Sequence, residues 1–176
     1  MTVKYVLDPS HSSAEFSIKH MMISKVKGTF DKLSGSFLYD PQNLGTSSVE
    51  ASIEVSSVNT RDEQRDNHLK SADFFDVEKY PLMQFKSSSL KKEGDTLYII
   101  GNLSIHGVSK EVTLKVDGPS DEHKDPWGNL KIGASATTKI NRKEFGLTWN
   151  TALEAGGFLV GEEVDISLDV QFTKEG

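Results

Sequence analysis

Cysteine is absent from this chain of 176 residues. Disulfide bridges, zinc–thiolate sites, iron–sulfur clusters and thiol nucleophiles are therefore excluded, and the core alone must stabilise the fold. Long apolar runs are missing too. The longest, such as residues 97–100, are far shorter than the roughly 20 residues that a membrane-spanning helix needs. We therefore expect a protein that is not membrane-spanning.

An excess of basic residues is also lacking. Lys and Arg number 20 against 26 Asp and Glu, which gives a formal net charge of -6, and the basic residues are interspersed with acidic ones. Binding of nucleic acid needs clustered Lys and Arg that neutralise phosphates, so we expect no nucleic-acid partner. The first residues show none of the features of a signal peptide, from which we expect a cytoplasmic protein.

Period-two alternation of apolar and polar residues is the pattern that the chain has in abundance. It places apolar side chains on one face of a strand and polar side chains on the other. The clearest examples are residues 14–20, 49–56, 112–116, 130–138 and 164–172. Such segments are typical of antiparallel strands with one face in water.

Five further segments predict strands less strongly: residues 4–7, 26–30, 35–39, 82–88 and 96–105. Together the segments predict nine or ten strands separated by turn signals. So many short alternating strands require a two-sheet sandwich or a closed barrel, and alternation alone does not choose between them. The length suits a single domain over residues 1–176.

One stretch predicts a helix, from Thr60 to about Ser71. We expect it to open with a capping box between Thr60 and Glu63. A second short helical turn is expected over residues 72–75, and the polar segment 119–127 reads as an exposed loop.

The helical stretch also carries the densest cluster of polar groups, with Arg65, Asp66 and His68 followed by Asp73. A hydrolytic site could be assembled from these groups, but no nucleophile with a positioned base can be named. We favour an interpretation in which they tie the helix to one end of the fold. None of the five histidines is paired at a helical or strand spacing typical of metal ligands, so no metal site is expected.

Two alanines indicate space inside the fold. Ala134 and Ala136 lie on the face that Leu130 and Ile132 define. Small inward residues either allow close packing or leave room for a ligand.

Distinctive motifs occur along nearly the whole chain. They cover residues 7–12 with Phe16 and His20, 27–30 with Gly35, 59–61, 65–69, 71–76, 80–87, 101–110 and 141–146. Together they resemble the YceI-like family of polyisoprenoid-binding proteins. Each is weak alone, but they occur in the same order and with similar gaps. The resemblance implies an all-β, extended, lipocalin-like antiparallel barrel with one short helix. It further implies a hydrophobic tunnel for the tail of a long-chain isoprenoid or acyl lipid, with no other cofactor.

The resemblance leads us to predict which residues bind this ligand. Those expected to line or gate the tunnel are Phe16, Ile18, His20, Phe30, Ile53, Phe74, Phe85, Leu103, Phe145 and Phe158. Those expected near a polar head at the tunnel mouth are His11, Arg65, Asp66 and His68.

Function and assembly are less determined by the sequence. We expect a binding protein without catalytic residues that acts as a carrier, a store or a sensor. Two alternatives stay open: a lipid-headgroup hydrolase that uses Arg65, Asp66 and His68, and a barrel filled by its own side chains with an interaction or stress-response role. Relatives often form dimers, so a homodimer stays open as well.

Overall fold

The computed structural model describes residues 2–151, 153 and 159–175. Within them lie twelve strands and one α-helix, α1, which covers Glu63–Lys70. The strands are β1 (Val3–Leu7), β2 (Ser13–His20), β3 (Ser24–Phe30), β4 (Leu33–Tyr39), β5 (Ser48–Glu54), β6 (Val58–Asn59), β7 (Leu82–Glu93), β8 (Thr96–Ile105), β9 (Val108–Asp117), β10 (His123–Lys124), β11 (Leu130–Asn141) and β12 (Val160–Lys174). The prediction of an all-β fold with one short helix between strands is confirmed.

Eight of these strands close into an antiparallel barrel. Neighbours are hydrogen-bonded in the order β1, β4, β5, β7, β8, β9, β11 and β12, and β12 pairs again with β1. The decisive pairing joins β11 to β12 from Lys131 opposite Thr173 to Asn141 opposite Glu163. Closure removes the exposed strand edges of the ring, which a sandwich would keep. The predicted barrel is confirmed, and the sandwich is excluded.

At one end of the barrel the same sheet continues through the strands β2, β3 and β6. The chain passes from β1 into β2 through the short turn Pro9–His11, and from β5 into β6 through Val55–Ser57. β12 pairs with β1 near Phe172 and with β2 from Asp169 to Val160. The wall therefore continues beyond the ring through the neighbouring strands β12, β2, β3 and β6. Helix α1 is the next helix or strand after β6 along the chain. We call this the helical end.

The buried apolar side chains form two clusters, one toward each end of the barrel. Phe30, Val55, Ile105 and Phe145 belong to the cluster at the helical end. The second cluster includes Tyr5, Phe37, Leu97, Ile132 and Phe172, with Tyr39 packed against it. Phe37 stacks on Tyr39 with ring centroids 4.7 Å apart and lies 5.9 Å from Phe172. We call this the aromatic end.

The observed strands differ from the predicted ones in extent and in number, because the two-residue strands β6 and β10 were not predicted. β10 lies inside the segment that was predicted as a loop, because His123 and Lys124 pair with Lys131 and Leu130 of β11. β7 continues past the predicted residue 88 to Glu93, with an irregularity between Ser87 and Ser89. Both additions depend on pairing with a partner strand, which local alternation does not reveal.

The start of the helix differs from the prediction as well. Asp62, rather than Thr60, is the N-cap, and its carboxylate accepts a hydrogen bond from the backbone N–H of Arg65. Arg61 has a positive φ of 64°, which turns the chain away from helical geometry between Thr60 and α1. The predicted capping box is therefore wrong. Residues 72–75 form a hydrogen-bonded turn rather than a helix.

Candidate ligand-binding cavity

A cavity of about 580 Å³ runs through the interior and is lined from both core clusters. Its wall is the apolar face of the alternating strands. Five alternate residues of β12, which are Val164, Ile166, Leu168, Val170 and Phe172, line it. So do Val112, Leu114 and Val116 of β9. The alternation seen in the sequence therefore identified the inner surface of the barrel.

Small side chains leave the space that the cavity occupies. Ala134 and Ala136 both line it, and so do Ala14 and Ala51 on other strands. Ala136 is paired with Leu168 on one neighbouring strand and with Val116 on the other, so its short side chain lies between two larger ones on the inner face. The prediction that the two alanines of β11 face inward is confirmed.

Most of the predicted site residues lie in the wall of this cavity. These are Phe16, Ile18, His20, Phe30, Ile53, Phe74, Phe85, Leu103, Arg65 and His68. The position of Phe16 also explains a glycine of the sequence motifs. A Cβ atom at Gly28, which lies opposite Phe16 in the β2–β3 pairing, would collide with the Phe16 ring. Gly28 therefore lets this ring lie across β3.

Three predicted residues are not part of the wall of the cavity. Phe145 is only 1% exposed and packs in the core of the helical end, because the short turn Arg142–Phe145 directs it beneath the wall. The Asp66 carboxylate accepts hydrogen bonds from the backbone N–H and the hydroxyl of Thr60. His11 pairs with Asp8 through Nδ1 at 2.9 Å, in the turn between β1 and β2. Phe158 lies outside the described residues.

Several wall residues were not among the predicted ligand-binding residues. Phe37, Ile99, Leu114 and Phe75 line the cavity, and the first three lie on strands whose alternation indicates the inward face. Trp149 also lines it. It lies in an irregular segment, so no periodic signal could have found it.

The polar wall residues gather mostly at the helical end. Arg65 is held there by Thr60, since its Nε donates to Thr60 Oγ1 and its Nη2 to the Thr60 carbonyl oxygen, both at 2.8 Å. The Asp66 carboxylate in turn accepts from the Thr60 N–H at 2.9 Å and from its hydroxyl at 2.5 Å. Within the described residues Arg65 has neither a carboxylate partner nor a hydrogen bond from Nη1. The helical end thus presents a guanidinium group that Thr60 holds in place.

His68 lies beside Arg65 on α1 and joins the helix to two aromatic rings. Its Nε2 is 2.9 Å from Asp73 Oδ2. Its ring packs edge-on against Trp149 and Phe74, with centroids 4.8 and 5.1 Å away. No hydroxyl group of the described residues is hydrogen-bonded to this imidazole. The described contacts therefore position His68 but supply no nucleophile beside it.

Arg142 is a second guanidinium group in the wall, and it is only 3% exposed. It donates to the carbonyl oxygens of Leu147, Trp149, Val160 and Gly161 at 2.6–3.3 Å. Burial lowers the pKa of this group from its ordinary value, and the nearby Glu162 opposes the shift. These bonds fasten the segment that carries Trp149 to the start of β12.

The described residues contain neither a metal-binding cluster nor a long apolar helix. No group of three or more His, Asp or Glu among them is placed to hold a metal ion. No helix in the described part of the chain is long and apolar enough to cross a membrane.

Comparison with known proteins places this geometry in a family. The model of the YceI-like domain matches residues 5–172. The UPF0312 protein SA2479 of Staphylococcus aureus is 37% identical over 169 residues, with 96% of each chain covered. The crystal structure of a Campylobacter jejuni YCEI protein matches with a TM-score of 0.73 and 31% identity, covering 90% of each chain.

A more distant structure shares the fold alone. It is a polyisoprenoid binding domain from Saccharophagus degradans, which has a TM-score of 0.71 and 17% identity and covers 98% of this chain and 99% of that one. Sequence, family model and fold therefore agree, and the chain belongs to the YceI-like family.

Proposed function

We propose that this protein binds one long-chain isoprenoid or acyl lipid, with the tail in the cavity and the polar head at the helical end. The observation that carries the proposal is the cavity of about 580 Å³ with its largely apolar wall. This volume is typical of sites for small molecules. The Saccharophagus neighbour is named for polyisoprenoid binding, which supports the same class of ligand.

The physical driving force is the removal of the tail from water. Each buried methylene contributes about 0.8 kcal/mol, so a tail of about ten carbons supplies about 8 kcal/mol before the costs of binding. The wall offers few hydrogen-bonding groups away from the helical end, so shape and length select the tail. Arg65 and His68 are the wall groups placed to contact a polar head.

The first experiment is native mass spectrometry of freshly purified protein, followed by solvent extraction of anything it releases. We expect a stoichiometric adduct, or an adduct after incubation with a polyprenyl phosphate or a long-chain fatty acid. A protein that purifies free of lipid and takes up neither probe would refute the proposal. It would favour the alternative of an interaction or stress-response barrel.

A pair of variants tests where the tail lies. Ala136→Phe adds a ring on the inner face of β11 and should abolish uptake, at a cost of about 1–3 kcal/mol in stability. Thr137→Phe is the matched control, because Thr137 is the next residue and is exposed. Equal uptake by both variants, each folded by circular dichroism, would contradict the placement of the tail.

Two further measurements distinguish the remaining roles. Turnover of a prenyl pyrophosphate that is abolished by His68→Ala, while binding persists, would establish the hydrolase alternative. We expect no turnover. The rate at which a loaded lipid leaves distinguishes a carrier, which exchanges quickly, from a store, which does not.

A further inference from the structure

We propose that the hairpin between β2 and β3 is a docking element that places the helical end of the barrel on an anionic lipid surface. The inference rests on the proposed lipid ligand, because such a ligand has to enter from a membrane or leave into one. The tip of the hairpin consists of Met21, Met22 and Ile23. Its two flanking strands carry Lys19, Lys25 and Lys27.

The apolar tip is unusually exposed. Met21, Met22 and Ile23 are 44%, 61% and 84% exposed, and they are consecutive. Single exposed apolar residues are common, whereas contiguous ones mark surfaces that meet another apolar phase. The tip therefore presents its apolar side chains together to whatever lies beyond this end of the barrel.

The backbone conformation of the tip is unusual for the residues that occupy it. Met21 and Met22 have positive φ values of 53° and 63°, and the Ile23 N–H donates to the His20 carbonyl oxygen at 3.3 Å. This is the geometry of a type I′ turn, which normally takes Asn-Gly, since side chains other than Gly and Asn are strained there. The equivalent turn between β8 and β9 follows the usual preference for glycine, with Gly107 at the second position. Two methionines thus occupy positions where they cost stability.

The lysines next to the tip are also arranged in a way that lowers the stability of the sheet. Lys19 lies directly opposite Lys25 in the pairing of β2 with β3, and like charges in that position destabilise a sheet. Lys25 is 3.8 Å from Asp165, and Lys27 has no carboxylate partner in the described part of the chain. Since the whole chain carries a formal charge of -6, an anionic surface would attract this local excess of lysines and orient the molecule.

The tip lies beside the part of the cavity where a head group is proposed. His20 lines the cavity and is followed directly by Met21, whose N–H donates to the Leu159 carbonyl oxygen at 2.7 Å. Leu159 and Val160 line the cavity too, and the Val160 carbonyl accepts from Arg142. Docking through the tip would therefore hold the polar wall residues against the lipid head groups.

Vesicle flotation tests the proposal, with vesicles of phosphatidylcholine alone or mixed with phosphatidylglycerol. We expect the unaltered protein to bind the mixed vesicles, and the bound fraction to fall as salt is raised. Met22→Ser combined with Ile23→Ser should lower the partition coefficient at least about tenfold. Lys25→Gln and Lys27→Gln should each lower it about fivefold.

Matched controls separate docking from general surface effects. Trp127→Ser removes an apolar residue that is 83% exposed on the turn between β10 and β11. Lys92→Gln removes an exposed charge near the turn between β7 and β8. Both should bind vesicles as the unaltered protein does. Equal binding by all variants, or equal losses in tip and control variants, would overturn the proposal.

A second variant excludes misfolding as the cause of lost binding. Replacing Met21-Met22 by Asn-Gly relieves the strained turn, so its melting temperature should equal or exceed that of the unaltered protein while vesicle binding falls. Sedimentation velocity tests the competing occupant, a second copy of the chain. A tip variant that dissociates a dimer without any change in vesicle binding would overturn membrane docking.

Failure of docking and failure of lipid binding are distinguishable. Uptake of a fluorescent fatty acid, supplied below its micellar concentration without vesicles, should be unchanged in the tip variants, whereas its transfer between vesicles should slow. Normal uptake with unchanged transfer would refute the docking element alone. An absence of uptake in every variant would refute the proposed function and leave vesicle binding to be judged by flotation.

Discussion

The two ends of the barrel are built on different principles. At the aromatic end, Tyr5, Phe37, Tyr39 and Phe172 pack together, and the ion pairs of Lys131 with Asp8 and of Lys174 with Glu122 join strands to connecting segments. At the helical end, guanidinium groups line the cavity and are bonded mainly to backbone carbonyl oxygens. One end is stabilised by packing, and the other retains polar groups near the ligand space.

The difference shows how a barrel can be both stable and open to a ligand. Apolar burial drives folding without regard to direction, so the aromatic end contributes stability wherever its rings pack. Polar groups at the helical end gain less from burial and must each be satisfied by a partner. A ligand-binding end therefore depends on a few hydrogen bonds, and the loss of one should lower the free energy of unfolding substantially.

The largest expected effect comes from Arg142. Arg142→Met leaves four carbonyl oxygens without this donor and should lower the free energy of unfolding by about 3–5 kcal/mol. Urea unfolding measures the change. Lys143→Met is the control, because Lys143 is half exposed and its ion pair with Glu162 lies at the surface, so less than about 1 kcal/mol is expected. Equal losses would show that Arg142 does not hold the helical end together.

The ion pair of Asp8 with Lys131 should matter next. The two groups are 2.6 Å apart and mostly buried. The hydrogen bond from Lys131, and then those from Ser10 and His11, lower the pKa of Asp8 well below its usual range. Asp8→Asn should cost about 1.5–3 kcal/mol at neutral pH.

The same pair predicts a pH dependence. Because the pKa of Asp8 is lower in the folded protein, its contribution is present above about pH 4 and is lost as the pH falls further. Asp8→Asn should therefore lose less stability than the unaltered protein between about pH 4 and pH 2. Glu163→Gln alters an exposed pair with Lys139 and should behave like the unaltered protein. Identical acid profiles for all three would contradict the role of Asp8.

Tyr5 should have a smaller effect. Its hydroxyl donates to Glu122 at 2.6 Å, and burial together with this carboxylate raises the pKa of Tyr5 to about 12. Tyr5→Phe should cost about 1–2 kcal/mol at neutral pH. The contribution of Tyr5 is present below about pH 10 and is lost as the pH rises through 12. Tyr98→Phe is the control, and a loss as large as that of Tyr5→Phe would refute the assignment.

The smallest effect is expected at His68. Its ion pair with Asp73 is substantially exposed, so Asp73→Asn should change stability by about 0–1 kcal/mol. His68→Ala also removes the contacts with Phe74 and Trp149, and a double-mutant cycle isolates the ion pair. A coupling above about 2 kcal/mol would mean that the helical end is stabilised by this pair rather than by Arg142.

Most of the strands and the inner surface were indicated by the sequence alone. Alternation is a local property, because successive side chains of a strand point to opposite faces. It therefore indicated that Val112 and Ala136 face inward. The family motifs likewise pointed to Phe16, Arg65 and His68, which share the cavity wall.

Only the tertiary structure decided how these elements combine. Closure depends on the pairing of β11 with β12, and the register of distant strands is not encoded in either strand alone. The same holds for Phe145, which was expected in the wall and lies in the core. Arg142 and Trp149 come together because the Arg142 guanidinium donates a hydrogen bond to the Trp149 carbonyl oxygen, and both residues lie outside the strands. Such contacts carry no periodic signal, because their geometry is set by the chain that surrounds them.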